Sequence, residues 1–200
     1  NPVTSGVVTS INMVEQEMKK RGHEVYVFTT SKSVQPNENQ TLYMLNSIPL
    51  LIAKQYKNRI ATFYSREVAK QIKELNLDIV HTQTEFSLGA FGKIISRKYK
   101  FPFIHTYHTM WEDYVHYITK GYFKGTSKKI VEYLTEFYCD KTTKELIVPT
   151  KKAYDLFKEK YKVDKNVHII PTGIEIEKFY KENINEKKLQ MIKDNLNIKN

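Results

Sequence analysis

Two hundred residues are enough for one α/β domain with a core of its own and too few for two large ones. Lys and Arg number 32 against 22 Asp and Glu, a net charge of +10 that favours phosphate-bearing partners or an anionic membrane surface without choosing between them. A lone cysteine, Cys139, excludes an internal disulfide and a multi-cysteine metal framework, and the longest apolar run, IPLLIA at 48–53, is far short of the roughly 20 residues that span a bilayer.

No secretory leader is visible, and the chain opens at Asn1 without a methionine, so its natural amino terminus is expected upstream. Val7, Ile11, Val14 and Met18 recur at helical spacing, with Arg21-Gly22 as a stop, which predicts a helix over 5–20. It feeds a strand in EVYVFTT at 24–30. A second helix, with Ile60, Phe63, Val68, Ile72 and Leu75 as its apolar positions, leads to the strand DIVHTQ at 78–83. A third, LGAFGKIISRKYK, passes through Pro102 to FIHTYH at 103–108. A fourth covers 127–142 before ELIVPT at 145–150, and KKAYDLFKEKY precedes VHIIPTG at 167–173. Short strand patterns separated by helices predict an α/β fold with a doubly wound parallel sheet. No strand precedes the first helix, so the chain is expected to begin one strand late. Beyond Gly173 it becomes charged and rich in Asn and Lys, the pattern of a solvated linker with a short helix.

The strand patterns share polar carboxyl ends: FTT, HTQTE, HTYHT, VPT and IPTG. In open α/β sheets ligands bind beyond those ends, so one crevice is expected there. Thr as an ordinary strand and turn residue explains any one ending, but five together poorly. At the start of the first helix, Ser5, Gly6 and Val7 combine a turn-permitting glycine with unpaired N–H groups, suited to a phosphate; an ordinary N-cap at Ser5 accounts for the same residues. His105 and His108 have the spacing of two metal ligands on a helix, but FIHTYH is a strand pattern, in which residues three apart face opposite ways. No third ligand follows, so no metal site is expected. His105 is expected to be structural, His81 either core or cleft wall, and Cys139 a small buried hydrophobe. Adjacent Glu112 and Asp113 point apart and do not form the carboxylate pair of a hydrolase.

Across 48–73, Ile52, Tyr56, Ile60 and Phe63 make an apolar stripe, while Lys54, Lys57, Arg59, Arg66, Lys70 and Lys73 face only Glu67. That predicts an interfacial helix on anionic lipid, although Arg59 falls on the stripe itself. A second basic cluster, Lys93, Arg97, Lys98 and Lys100, has no acid between its members. Solvated helix faces explain either cluster singly.

Three pieces line up in order: NPVTSGVVTSI with RGHEVYVFTT, DIVHTQTEFSLGAFG with PFIHTYHTMWEDYVHYI, and LIVPT with VHIIPTGIEIEKF. Together they resemble the amino-terminal half of a group 1 (family 4) retaining glycosyltransferase of the GT-B fold, from Pro2 to about Phe179, and among these the bacterial enzymes that glucosylate the 3-hydroxyl of 1,2-diacylglycerol. The resemblance implies a Rossmann-like acceptor-binding domain at 1–173, with 174–200 the interdomain linker and the start of a nucleotide-sugar-binding domain. It implies UDP-glucose as co-substrate, a diacylglycerol acceptor, no metal or other cofactor, and a cytoplasmic protein peripheral on the inner face of the cell membrane. By itself the 200-residue chain is expected to be inactive.

Roles follow from the same likeness. His108 is the catalytic candidate beside the transferred sugar, and Ser5, Gly6 and Val7 lie near the donor phosphates. His81, Glu85, Trp111 and Tyr114 fall on the acceptor side, and Lys54, Lys57, Arg59 and Arg66 on the membrane surface. Glu85 equally suits the positive end of the next helix, and the aromatics of MWEDYVHY equally suit a helix core. One rival, a glycosyltransferase with a polysaccharide, teichoic-acid-type or soluble acceptor, needs no apolar and basic stretch at 48–73. Another, a nucleic-acid-binding module suggested by the charge and 14 tyrosines, lacks a basic recognition helix, a zinc pattern and an aromatic-interleaved sheet motif, so no nucleic acid partner is expected. A Rossmann dehydrogenase would need a G-x-G-x-x-G fingerprint, which the strands do not carry.

Overall fold

The structure, a computed structural model, describes residues 6–30, 41–45, 47–49, 59–61, 64–85, 87–110 and 124–198. Helix α1, Gly6–Lys20, forms where the spacing predicts and ends in a Schellman turn. Gly22 takes φ 84°, its N–H donates to the Lys19 carbonyl at 3.0 Å, and the His23 N–H donates to the Met18 carbonyl at 3.1 Å. That left-handed backbone favours glycine, and Lys19 and Lys20 complement the negative end of the helix dipole while pairing with Glu15 and Glu17 at 2.8 Å. Strand β1, Tyr26–Thr29, pairs in parallel with β2, Thr41–Met44, and Phe28 stacks on Tyr43 at 4.8 Å. The sequence pattern did not reveal β2, because four residues are too few to display a period of two.

The segment 48–73 corrects the expectation of one interfacial helix. Strands β3, Ser47–Pro49, and β4, Arg59–Ala61, pair antiparallel, with Ile48 opposite Ile60 and Pro49 opposite Arg59. Arg59 is therefore a strand residue, and Ile60 belongs to no helical stripe. Helix α2 runs only over Arg66–Glu74, because the extended Ser65 caps it by accepting the Val68 N–H at 3.4 Å. Its buried positions are Ala69 and Ile72, Leu75 is its C-cap, and Arg66 opens it as an exposed residue. Lys54 and Lys57 lie outside the described residues. Helical spacing within a short apolar run is a weak signal, and pairing with a distant strand overrides it here.

The main sheet is parallel and runs in chain order: β5, Val80–Thr82; β6, Phe103–Thr106; β7, Thr143–Val148; and β8, Asn166–Ile169. Parallel neighbours need a crossover at each step, supplied by α3, Ser87–Tyr99, by α4, Lys124–Cys139, and by α5, Lys151–Asp155, which continues as a π-helical turn over Leu156–Lys160. The parallel α/β architecture read from the sequence is thus present. Single 3-10 turns at Ile176–Phe179 and Lys181–Asn183 then lead to α6, Glu186–Asn195, capped by Asn185.

Two apolar clusters hold these layers. One joins Leu45 beyond β2 to Ala69 and Ile72 of α2 and Phe91 and Ile95 of α3; the other packs Tyr107, Leu146 and Val148 against Ala153, Phe157 and Val163. Each large aromatic or aliphatic side chain so enclosed contributes roughly 1.5–3 kcal/mol. Helix α3 lies hard against the end of β5: a methyl group at Gly89 would come 1.7 Å from the Thr84 carbonyl oxygen. Only glycine permits that approach.

Lys93, expected in a basic surface cluster, is 0% exposed. Its Nζ donates to Thr143 Oγ1 at 2.8 Å, meets Asp140 Oδ1 at 3.0 Å and lies 5.0 Å from the centre of the Phe103 ring. Burial draws its pKa down to about 7 even with Asp140 beside it. Arg97 also pairs with Asp140, and Lys98 donates to the Tyr64 hydroxyl at 2.6 Å. The acid missing from the local sequence arrives from the far end of α4.

Candidate functional site

The carboxyl ends of β5 and β6 carry the same dipeptide, His81-Thr82 and His105-Thr106, and the parallel register sets Thr82 opposite His105. Residues directly opposite in such a pair share a face, and alternation separates the polar groups into two layers. On one face His81 Nε2 meets Thr106 Oγ1 at 2.7 Å, and beyond the strand ends His108 Nε2 donates to Gln83 Oε1 at 3.0 Å. On the other, Thr82 Oγ1 meets His105 Nδ1 at 2.8 Å, and the His105 ring stacks on Tyr138 of α4 at 4.2 Å. His105 is thus the structural residue expected, and His81 serves the same polar edge as His108.

Burial is the first cause of the imidazoles' behaviour. It holds His81 down to about 4, with further lowering from His105 and His108. It lowers His105 and His108 as well, against an opposing pull from Glu85. All three are therefore neutral at pH 7, acting as hydrogen-bonding groups of fixed orientation and not as cations. Glu85 turns inward, 6% exposed, where a residue contacting an acceptor was expected in an open cleft. Desolvation also raises the Cys139 thiol to about 12, which leaves it protonated, and the residue is half-buried where a buried hydrophobe was expected. Among the described residues no group of three His, Cys, Asp or Glu is placed to hold a metal ion.

Residues 4–178 match the model of glycosyltransferase family 4. The chain belongs to that family. Across 98% of its length it is 41% identical to the alpha-monoglucosyldiacylglycerol synthase of Streptococcus pneumoniae, and across 100% it is 36% identical to the protein of the same name from Acholeplasma laidlawii. It covers 44% and 50% of these two proteins, so it spans about half the length of the curated relatives it matches.

In this family 4 chain, the first helix begins at Gly6, where an added methyl group would meet no atom within 4 Å. Packing therefore does not demand glycine at that position, and Val7 is half-buried beside it. Ser5 lies outside the described residues, as do Trp111, Tyr114, Glu112, Asp113 and His116. The IPTG segment returns to α1, since a methyl group at Gly173 would lie 3.2 Å from Met13 Cε. Sequence reasoning did not single out Gln83, Thr82, Thr106 or Tyr138. The repeated His-Thr dipeptide at two strand ends was the available signal, because pairing the strands one residue out of step crosses each histidine to the other's threonine.

Proposed function

We propose that this chain is the acceptor-side half of a retaining glycosyltransferase that moves glucose from UDP-glucose to the 3-hydroxyl of 1,2-diacylglycerol at a membrane surface. The observation that carries this reading is the strand-end pair His108–Gln83, held at 3.0 Å on a polar edge, in a chain so similar to two proteins named for diacylglycerol glucosylation. Retaining transfer passes through an oxocarbenium-like state while negative charge grows on the leaving phosphate, so preplaced hydrogen bonds matter more there than a strong base. A neutral His108 with Nε2 engaged by Gln83 meets a sugar hydroxyl through Nδ1. The open backbone at Gly6, at the positive end of α1, suits the diphosphate with Ser5 and Val7, and no metal is needed for the chemistry. The family likeness assigns Trp111 and Tyr114 to the acceptor, together with His81 at the end of β5.

Apolar side chains left exposed at Ile174, Phe179, Met191 and Leu196 support reading 174–200 as the connection to a domain that binds the nucleotide sugar. Lys54, Lys57, Arg59 and Arg66 would meet anionic lipid, and no helix among the described residues is long and apolar enough to cross a membrane. The hairpin of β3 and β4 favours a second reading, in which the acceptor is a polysaccharide, a teichoic-acid-type chain or a soluble alcohol, because it breaks the interfacial helix that the lipid reading drew on. Assaying full-length protein with a panel of nucleotide sugars, against diacylglycerol vesicles and water-soluble acceptors, decides between them. UDP-glucose with diacylglycerol is the expected pair; preference for a soluble acceptor overturns the lipid assignment.

A further inference from the structure

Two side chains in the inner layer lack the hydrogen bonds that their burial demands. Glu85 Oε1 and His105 Nε2 are both enclosed, face each other at 3.7 Å, and have no hydrogen-bond partner among the described residues. They sit against a small cavity of about 10 Å³, room for a single water, lined also by Leu134, Thr135 and Cys139. A carboxylate oxygen in such surroundings without a donor is costly, and so is an imidazole nitrogen with neither donor nor acceptor. The other ring nitrogen admits the tautomer that would use this contact. Thr82 is within 2.8 Å of His105 Nδ1, and when its hydroxyl donates there, the neutral ring has its hydrogen on Nε2, aimed at Glu85.

Thr82, Gln83, Thr84 and Glu85 are consecutive, so the two nitrogens of one imidazole face both ends of the short stretch that contains Gln83. The side chain of Gln83 projects to the opposite face and accepts from His108, three residues beyond His105. Helix α3 closes the arrangement from behind, through the approach of Gly89 to the Thr84 carbonyl. We infer that Glu85 is a positioning residue: its carboxylate takes the Nε2–H of His105, and this buried clasp fixes the turn after β5 so that Gln83 orients His108. The role differs from acceptor contact and rests, in its kinetic consequence only, on the glycosyltransferase reading.

The experiment uses full-length protein in two arms. In the first, ¹⁵N-histidine NMR reads the tautomer of each imidazole, with His105→Gln assigning the resonance. Wild type and Glu85→Gln are expected to hold the hydrogen on Nε2 of His105, and Glu85→Ala to lose that preference. A wild-type His105 protonated on Nδ1 alone overturns the proposal, whether or not any transfer activity is found. In the second, steady-state kinetics of Glu85→Ala are expected to show a roughly ten- to hundredfold loss of kcat with acceptor KM unchanged, the cost of misplacing a group near the reacting atoms. Glu85→Gln, whose amide oxygen still accepts from Nε2, is expected to recover most of it. A raised acceptor KM with kcat preserved in both variants overturns the proposal in favour of direct contact. If Glu85→Ala fails to fold, the tautomer in wild type and Glu85→Gln still decides. If wild type transfers no sugar, the functional reading fails while the tautomer arm still judges the clasp.

Discussion

Tyr138 lies between two buried polar clusters that treat their charge in opposite ways. On one side, Lys93 is saturated: an ion pair to Asp140, a hydrogen bond to Thr143, whose own hydroxyl donates to the Tyr138 carbonyl at 2.6 Å, and aromatic faces at 5.0 and 5.3 Å. On the other, Glu85 Oε1 and His105 Nε2 share one loose contact at 3.7 Å and have no hydrogen bond among the described residues, while Thr82 meets the other nitrogen of His105. The saturated cluster ties α3 to the start of β7, away from the strand ends. The unsaturated one stands at the strand ends, beside the histidines that the functional reading uses. Complete satisfaction makes a polar cluster part of the scaffold, whereas incomplete satisfaction leaves groups whose orientation has been set for something besides stability.

The largest test of this contrast is on the scaffold side. Asp140→Asn should take the counter-charge from Lys93, whose pKa burial has already drawn down to about 7, so that the amine sheds its proton and the fold loses the ion pair at a cost of about 3 kcal/mol, whereas Lys93→Met, which removes the charge and keeps the volume, should cost less. Urea denaturation of the two variants measures both, and equal losses would show that packing, not charge compensation, holds that region. Acid should act next most strongly, through the strand-end layer. Burial lowers His81 to about 4, so below its ordinary value near 6.5 the unfolded chain takes up a proton that the folded chain refuses. The stability from keeping His81 neutral is therefore intact above pH 6.5 and is lost as pH falls through 4, on the order of 3 kcal/mol, with His105 and His108 acting in the same direction. Denaturation midpoints across pH 4–7, compared with His81→Asn, check it, and a slope unchanged by the substitution would remove His81 from the account.

Smaller effects sharpen the picture. Glu85→Ala should cost about 1–3 kcal/mol by stranding a buried N–H, and Glu85→Gln clearly less, as thermal melts will read. A reversed order would mean that the negative charge, and not the hydrogen bond, is what the site requires. The smallest expected change is at the exposed pair Glu145–His168 on β7 and β8: Glu145→Gln should leave the melting midpoint where it is, since water screens the charges. A measurable loss there would blur the distinction between exposed and enclosed pairs.

Local signals were legible wherever neighbours in the chain settle the outcome. The first helix and its Gly22 stop depend on residues within one turn of each other, and the four strands of the main sheet were readable as β-rich runs between helical patterns. His105 was rightly read as structural, since it is fully enclosed and bound to Thr82, whereas Cys139, expected to be buried, is half-buried. The sequence misled at 48–73, where apolar residues spaced as on a helix face proved in part to be a hairpin, and at Lys93, whose basic neighbours concealed a buried position. Glu85 looked like a group for an open cleft because its strand-end position was visible and the direction of its side chain was not.

What the sequence determined unaided is the alternation of strands and helices, the polar character of the strand ends and the family likeness, since each resides in contiguous residues. Which of those polar groups face inward was decided only in three dimensions. Lys93 finds Thr143 across 50 positions of chain, and Thr82 finds His105 across 23. Pairings of that range cost chain entropy that no local pattern records, and they exist because strand register and helix packing bring the partners into one dry space where leaving them apart would cost more.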